Sequence, residues 1–258
     1  MMSTEIIDLQ KDSRVFFIYF AAALLFLHGT GFGGCLVYGG LTFYDHRHNH
    51  TLQEDHEKRT FLYLNEEEGS SYLSVVPIME LVGTIFAHPA SEYLGRKPTL
   101  VLTNFVQIFG FGIIYFSSSV SVLMFGRSLT CFALGLGAMT PLVLLSEMAT
   151  IKQRAPLSII GNLSISFGIL ASFFFVYLFP TKYLIFFIVG ESLIFLLFSV
   201  FLPESPHYLI RKCKTNEAEQ VFKKLRGPHY KGIELEIKEI KEVIDKEFSS
   251  VSTESHIR

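Results

Sequence analysis

The sequence has 258 residues, half of them hydrophobic, with 26 Phe, no Trp and a formal net charge of −2. Its apolar residues form long blocks, which is typical of a membrane protein rather than of a soluble core. The charge balance and the lack of a basic patch interleaved with aromatic residues argue against nucleic-acid binding. The three cysteines are widely separated and lack CxxC spacing, so they support neither a disulfide framework nor a thiolate metal site.

Six apolar segments are each long enough to cross a bilayer as an α-helix, which takes about 20 residues. They cover residues 15–43, 72–93, 98–117, 120–147, 156–179 and 182–202. The first segment is too long for a signal-peptide core and lacks a small-residue cleavage site, so it reads as a retained helix. The sequence therefore predicts an all-α membrane protein, with a short N-terminal segment (1–14) followed by a six-helix transmembrane bundle (15–203).

The charged connection over residues 91–97 predicts the topology. Because it is short, the second and third spans are expected to be antiparallel neighbours. Arg96 and Lys97 place it in the cytoplasm, since short cytoplasmic loops collect Lys and Arg. Six crossings then leave both termini in the cytoplasm and put an outer loop, residues 44–71, on the opposite side.

The predicted outer loop contains a glycosylation sequon and a group of histidines. The sequon is Asn49-His50-Thr51, on the side where glycosylation takes place. His46, His48 and His50 alternate, and imidazoles at that spacing could bind a divalent metal. A solvated polar loop is the preferred interpretation, so no metal site is assigned.

After residue 203 the sequence becomes charged and amphipathic. Residues 216–226 and 234–248 have helical periodicity, with Gly227-Pro228 as a break between them. We expect residues 204–258 to form a cytoplasmic helical domain.

Charged residues at the predicted cytoplasmic ends of the spans could neutralise one another. Glu147 and Arg154 are seven residues apart, which puts them on one face if the helix continues. The alternative is that each side chain extends separately to the interface. The expected network consists of Glu92, Arg96, Lys97, Glu147, Arg154 and Glu204.

Several short motifs carry a family resemblance: Gly95-Arg96-Lys97, Gly126-Arg127, Glu147 with Arg154, Pro203-Glu204-Ser205-Pro206, and Leu225-Arg226-Gly227. In this order the motifs resemble the sugar porter family of the major facilitator superfamily, in particular insect facilitated trehalose or glucose transporters. Members of that family have twelve spans in two six-helix halves, joined by a cytoplasmic helical linker, with the substrate between the halves. The sequence resembles the N-terminal half and the linker.

The resemblance implies roles for individual residues. It makes the six network residues a cytoplasmic gate that breaks as the halves move. It also implies a sugar contact at Asn162, where the family has Gln. Ser166, Ile169 and Phe173 would share that helical face, so Asn162, Ser166 and Phe173 are the candidate substrate-binding residues. Polar contact between helices explains these side chains equally well.

The function implied is facilitative transport of a hexose or trehalose by alternating access, without a cofactor, in the plasma membrane. Cys35 stands where proton-coupled relatives have Asp, which favours facilitation over proton symport. The partners expected are the lipid bilayer, the sugar, and a second half or a second copy of the chain. An enzyme is not expected, because no nucleophile–base pair or phosphate-binding loop occurs. The alternative function is a non-transporting half that modulates a full-length sugar transporter.

Overall fold

The protein is described from a computed structural model that covers residues 16–52, 64–227, 230 and 232–255. Over those residues it is helical throughout, apart from short connections and one 3-10 turn, Thr181–Tyr183. The helices are α1 (Phe16–Leu52), α2 (Glu66–Leu94), α3 (Arg96–Tyr115), α4 (Val120–Gly137), α5 (Thr140–Met148), α6 (Ile151–Leu178), α7 (Leu184–Ser199), α8 (Pro206–Arg211), α9 (Thr215–Arg226) and α10 (Ile233–Ser255). Six segments have the length and hydropathy to span a membrane, which confirms the predicted all-α six-span fold.

The fourth span is divided into α4 and α5. Pro141 lies in the first turn of α5. A proline has no N–H to donate to the carbonyl four residues back, and its ring clashes with that carbonyl, which favours an interruption of the helix at this point. The apolar segment still reads as one span, Val120–Met148, in two helical pieces.

Both ends of the predicted outer loop (44–71) are helical. Helix α1 continues to Leu52, and α2 begins at Glu66 after a capping box in which the Glu68 carboxylate accepts from the Asn65 N–H at 2.9 Å. The prediction placed the boundaries at the ends of the apolar segments, but polar residues can continue a helix beyond the membrane. Asn49 and the three nearby histidines fall in this extension of α1, and their side chains lie outside the described residues.

Glycines allow close packing between pairs of spans. A Cβ added to Gly33 of α1 would overlap the Ile165 carbonyl of α6, and one added to Gly168 would overlap the Thr30 carbonyl. Helices α2 and α4 pack equally closely, because a Cβ added to Gly83 or to Gly135 would overlap the backbone of the other helix. The resulting pattern, first span on fifth and fourth span on second, suits two three-helix repeats.

Helices α2 and α6 are the least buried of the spans. Only 17% of the most apolar window of each is buried, against 61% for the span in α1 and 56% for Val120–Met148. Each therefore presents a long face that the other described helices leave uncovered.

The C-terminal helices pack on one another through a small apolar core. They also contact the bundle, because Leu225 of α9 is buried together with Met148 and Leu202. The sequence predicts α9 and α10 but not the short α8, which Ser205 caps by accepting from the Tyr208 N–H at 3.2 Å. The core of this region consists of Leu209, Ile210, Ala218, Phe222, Ile233 and Ile237.

Candidate functional site

A single residue, Gly95, connects α2 to α3 at one end of the bundle. Its φ of 110° is a conformation that residues with a side chain rarely adopt. A Cβ there would also approach the Glu204 carboxylate. The glycine thus brings the end of α2, the start of α3 and the segment after α7 into contact.

Arg96, the first residue of α3, is the centre of a group of charged side chains. Its Nε donates to Glu147 Oε2 at 3.1 Å, and its Nη2 donates to Glu147 Oε1 at 3.0 Å. Nη2 also lies 3.3 Å from Glu92 Oε1, and Nη1 donates to the Ser91 carbonyl at 3.2 Å. The guanidinium lies 5.6 Å from the centre of the Tyr208 ring, within cation–π range. Arg96 therefore joins α2, α3, α5 and α8.

Glu92 links this arginine to a second one. The other carboxylate oxygen of Glu92 accepts from Arg211 Nη1 at 2.6 Å, so the two guanidinium groups share one acid. Arg211 ends α8, a helix that the sequence does not predict. For that reason the sequence analysis missed Arg211. Its position eight residues after Pro203, the first residue of the Pro203-Glu204-Ser205-Pro206 motif, was a usable signal.

Glu204 holds the start of α3 through backbone hydrogen bonds. Its Oε1 accepts from the N–H groups of Arg96 at 3.0 Å, Lys97 at 3.1 Å and Ser205 at 2.9 Å. A carboxylate at a helix N-terminus also interacts favourably with the helix dipole. Burial raises the pKa of Glu204, and these three hydrogen bonds oppose that rise. We call Glu92, Arg96, Glu147, Glu204 and Arg211 the ion-pair cluster.

Two residues of the expected network have side chains that do not join these contacts. Lys97 takes part through its N–H, while its Nζ donates to the Val200 carbonyl at 3.3 Å. Arg154 does not bind Glu147, contrary to the prediction, and its Nε donates to the Ser146 carbonyl at 3.2 Å. The reason is that Ala149 and Thr150 are extended, with ψ of 150° and 160°, so the helix does not continue from Glu147 to Arg154.

Arg226 forms a separate buried contact between α9 and the bundle. Only 3% of it is exposed, its Nη1 donates to the Met148 carbonyl at 3.0 Å, and its Nη2 lies 3.5 Å from Glu236 Oε2. Met148 ends α5, so Arg226 satisfies a helix-terminal carbonyl that lacks a partner within its own helix. The Leu225-Arg226-Gly227 motif pointed to this residue, but the sequence alone suggests no role for it.

The candidate substrate residues lie on an exposed face of α6. Asn162 and Ser166 are exposed, and Phe173 is 52% exposed. The opposite face, with Ser164 and Ser172 fully buried, packs on α1. The structure thus keeps the three candidates on one side of α6 and away from the interior of the bundle.

The comparison with known proteins decides the family. Residues 14–257 match the family whose model is described as "Sugar (and other) transporter". The chain belongs to the sugar transporter family. The resemblance stated from the motifs is thereby confirmed.

The mouse and honeybee relatives of this sugar transporter chain are both longer than it. It is 29% identical over 242 residues to the mouse protein named solute carrier family 2, facilitated glucose transporter member 6, and covers 46% of it. That alignment includes 94% of the chain. The honeybee facilitated trehalose transporter Tret1 is 29% identical over 154 residues, with 60% of the chain and 31% of the relative covered. The chain thus spans less than half the length of either protein.

A solved structure shows the same fold. The xylose symporter XylE, described as a member of the major facilitator superfamily, superimposes with a TM-score of 0.75 at 19% identity. The superposition covers 89% of the sugar transporter chain and 54% of XylE. The fold is therefore a six-helix half of a major facilitator bundle with its adjoining C-terminal helices.

Proposed function

We propose that this chain forms the N-terminal half of a facilitative sugar carrier that moves a hexose or trehalose by alternating access. The observation that carries the proposal is the family match over residues 14–257, on a bundle of six membrane-length helices. The names of the mouse and honeybee relatives supply the substrate class. Facilitation is favoured because the first span, Phe16–Phe43, contains no Asp or Glu.

The ion-pair cluster, together with Lys97 and Arg154, acts as the gate in this proposal. It ties the connection between α2 and α3 to α5 and α8, so the end of the bundle cannot rearrange while these contacts persist. Removing one partner of a buried ion pair costs about 3–5 kcal/mol, because the remaining charge stays unpaired. A cost of that size is enough to bias an equilibrium between two conformations.

The exposed polar face of α6 supports a sugar site at an interface with a second bundle. Asn162 and Ser166 are exposed within a membrane-length helix, where contact with lipid would leave their polar groups without partners. A second half, or a second copy of the chain, would cover this face. A sugar held between the two bundles could bind the Asn162 amide and Ser166 hydroxyl and place its apolar ring face on Phe173.

The proposal includes a location and an orientation. The carrier resides in the plasma membrane, with the ion-pair cluster and both termini in the cytoplasm. Basic residues concentrated at the end that carries Arg96 and Lys97 support this orientation. Asn49 would then lie outside, where its sequon can be glycosylated.

Uptake into liposomes tests the proposal. The purified chain should give saturable uptake of labelled D-glucose or trehalose, no uptake of L-glucose, and equal exchange in both directions without an ion gradient. Arg96→Ala should abolish this uptake, whereas Lys214→Gln, which removes an exposed ion pair with Glu217, should preserve it. Uptake no greater than in protein-free liposomes would contradict transport by this chain.

A non-transporting partner is the second candidate function. The uncovered faces of α2 and α6 favour it, because they suit a half that docks on another bundle. Co-purification with a full-length sugar transporter, a change in that transporter's uptake and no uptake by the chain alone would support this candidate over the first.

A further inference from the structure

Glu191 lies in the middle of α7, within the bundle, and is not part of the ion-pair cluster. Its Oε1 lies 2.9 Å from Thr30 Oγ1 of α1. Its Oε2 is buried without a hydrogen-bond partner among the described residues. Gln107 of α3 lies on the same side, since a Cβ on Gly31 would be 3.3 Å from Glu191 Oε2 and 3.9 Å from Gln107 Nε2.

The hydroxyl of Thr30 has a second contact besides Glu191. Thr30 Oγ1 also lies 2.7 Å from the carbonyl oxygen of Leu27, in the bond that threonine often makes to the preceding helical turn. A carbonyl can only accept, and so can an ionised carboxylate, so an ionised Glu191 would compete with Leu27 for the single hydroxyl hydrogen of Thr30. A protonated Glu191 removes this competition, because Thr30 can then donate to Leu27 and accept from the acid.

We infer that Glu191 is a proton-binding site in the bundle, and that in this conformation its carboxylic acid donates a hydrogen bond to Thr30. The proton stays on Oε1, the Thr30 hydroxyl accepts from it, and the same hydroxyl donates to Leu27. No bond is broken and no other reactant is needed. The proton thus joins α7 to α1.

The groups around Glu191 do not neutralise a charge on its carboxylate, so binding a proton is what would make it neutral. The groups facing it are Thr30 and Gly31 from α1 and Gln107 from α3, none of which titrates. Among the described residues, no Lys, Arg or His is paired with it. His28, two residues before Thr30, faces elsewhere: its Nδ1 lies 3.1 Å from Asn104 Nδ2, and its ring lies 5.2 Å from the Phe195 ring. An ionised carboxylate without a partner at this depth would be costly.

Loss of the proton would change the contact between α1 and α7. The ionised carboxylate can only accept, so Thr30 would have to turn its hydrogen from Leu27 to Glu191 to keep a bond. The interface therefore has two hydrogen-bonded arrangements that differ by one proton. This inference concerns the bundle itself and holds whether or not the chain transports a sugar.

Infrared difference spectroscopy of the purified chain in lipid at pH 7 tests the inference. The wild type should show the C=O stretch of a protonated carboxylic acid. That band should be lost in Glu191→Gln and retained in the matched control Glu80→Gln, which changes another half-buried acid of a span. Absence of the band in the wild type, or its persistence in Glu191→Gln, would overturn the inference.

A second variant leaves the acid in place and decides the matter if Glu191→Gln does not fold. Thr30→Val keeps the shape of the side chain but removes the oxygen that accepts from the acid. The C=O band should then move to higher wavenumber, because the acid has lost its hydrogen-bond acceptor. An unshifted band in Thr30→Val would show that the proton is not directed to Thr30 and would contradict the inference.

Discussion

Arg96 and Glu147 are 51 positions apart in the chain and form two parallel hydrogen bonds, of 3.1 and 3.0 Å. Only 6% of the arginine side chain and 15% of the glutamate side chain are exposed. A bidentate pair of this kind fixes orientation as well as distance, because the guanidinium is planar. It therefore sets the position of the start of α3 against the end of α5.

Removing Arg96 should destabilise the bundle strongly. We expect Arg96→Ala to lower the free energy of unfolding in detergent by about 3–5 kcal/mol, since Glu147 is left as a buried unpaired charge. Arg96→Ala combined with Glu147→Ala should lose less than the sum of the single variants. Lys214→Ala is the control, and its exposed pair with Glu217 should be worth at most about 1 kcal/mol. Additive losses at Arg96 and Glu147 would contradict the pairing.

Charge exchange should identify the partner of Glu147. The sequence predicts that Glu147→Arg is rescued by Arg154→Glu, whereas the structure predicts rescue by Arg96→Glu. Thermal unfolding of both double variants compares them directly. A higher unfolding midpoint for Glu147→Arg with Arg154→Glu would contradict the pairing of Glu147 with Arg96. It would also contradict the break in the helix between residues 148 and 151.

Arg226 should hold the C-terminal helices on the bundle. Arg226→Ala leaves the Met148 carbonyl and the Glu236 carboxylate without this donor, at a cost of about 1–3 kcal/mol. Hydrogen exchange should therefore rise in α9 and α10 and stay unchanged in α3. Lys223→Ala, which removes an exposed pair with Glu219 on the same helix, should leave exchange near the wild-type level. Equal exchange in both variants would contradict the role of Arg226.

The close contact between α1 and α6 should depend on Gly33. A Cβ at Gly33 would overlap the backbone of Ile165, so Gly33→Ala should cost about 1–3 kcal/mol through strain. Gly112→Ala is the matched control, because nothing lies within 4 Å of its added Cβ. That variant should be neutral or stabilising, as alanine is the better helix former. A higher melting temperature for Gly33→Ala than for Gly112→Ala would contradict this prediction.

His207 should make the stability of the chain fall at mildly acidic pH. Burial lowers the pKa of its imidazole from the ordinary 6.5, although nearby Glu147 opposes the change. Below 6.5 the unfolded chain binds a proton that the folded chain binds less readily, so folding stability is lost as the pH falls. His207→Gln should flatten the fall in melting temperature below pH 6.5. An unchanged slope would mean that other groups cause it.

The six spans and the family could be predicted from the sequence because both depend on local patterns. Apolar segments of membrane length predict helices whatever their neighbours, and the motif that begins Gly95-Arg96-Lys97 predicts a charged turn between two of them. The boundaries were less accurate. Hydropathy marks where the apolar residues end, while α1 and α2 extend beyond that point on polar residues.

The sequence by itself determined which charges lie at one end of the bundle, and only the tertiary structure decided which of them bind each other. Spacing paired Glu147 with Arg154, but the extended residues at 149 and 150 break the helix on which that spacing relied. The guanidinium that reaches Glu147 belongs to Arg96, brought there by the turn at Gly95. The contacts of Arg211, Arg226 and Glu191 likewise join distant helices, and their partners depend on packing rather than on any local pattern.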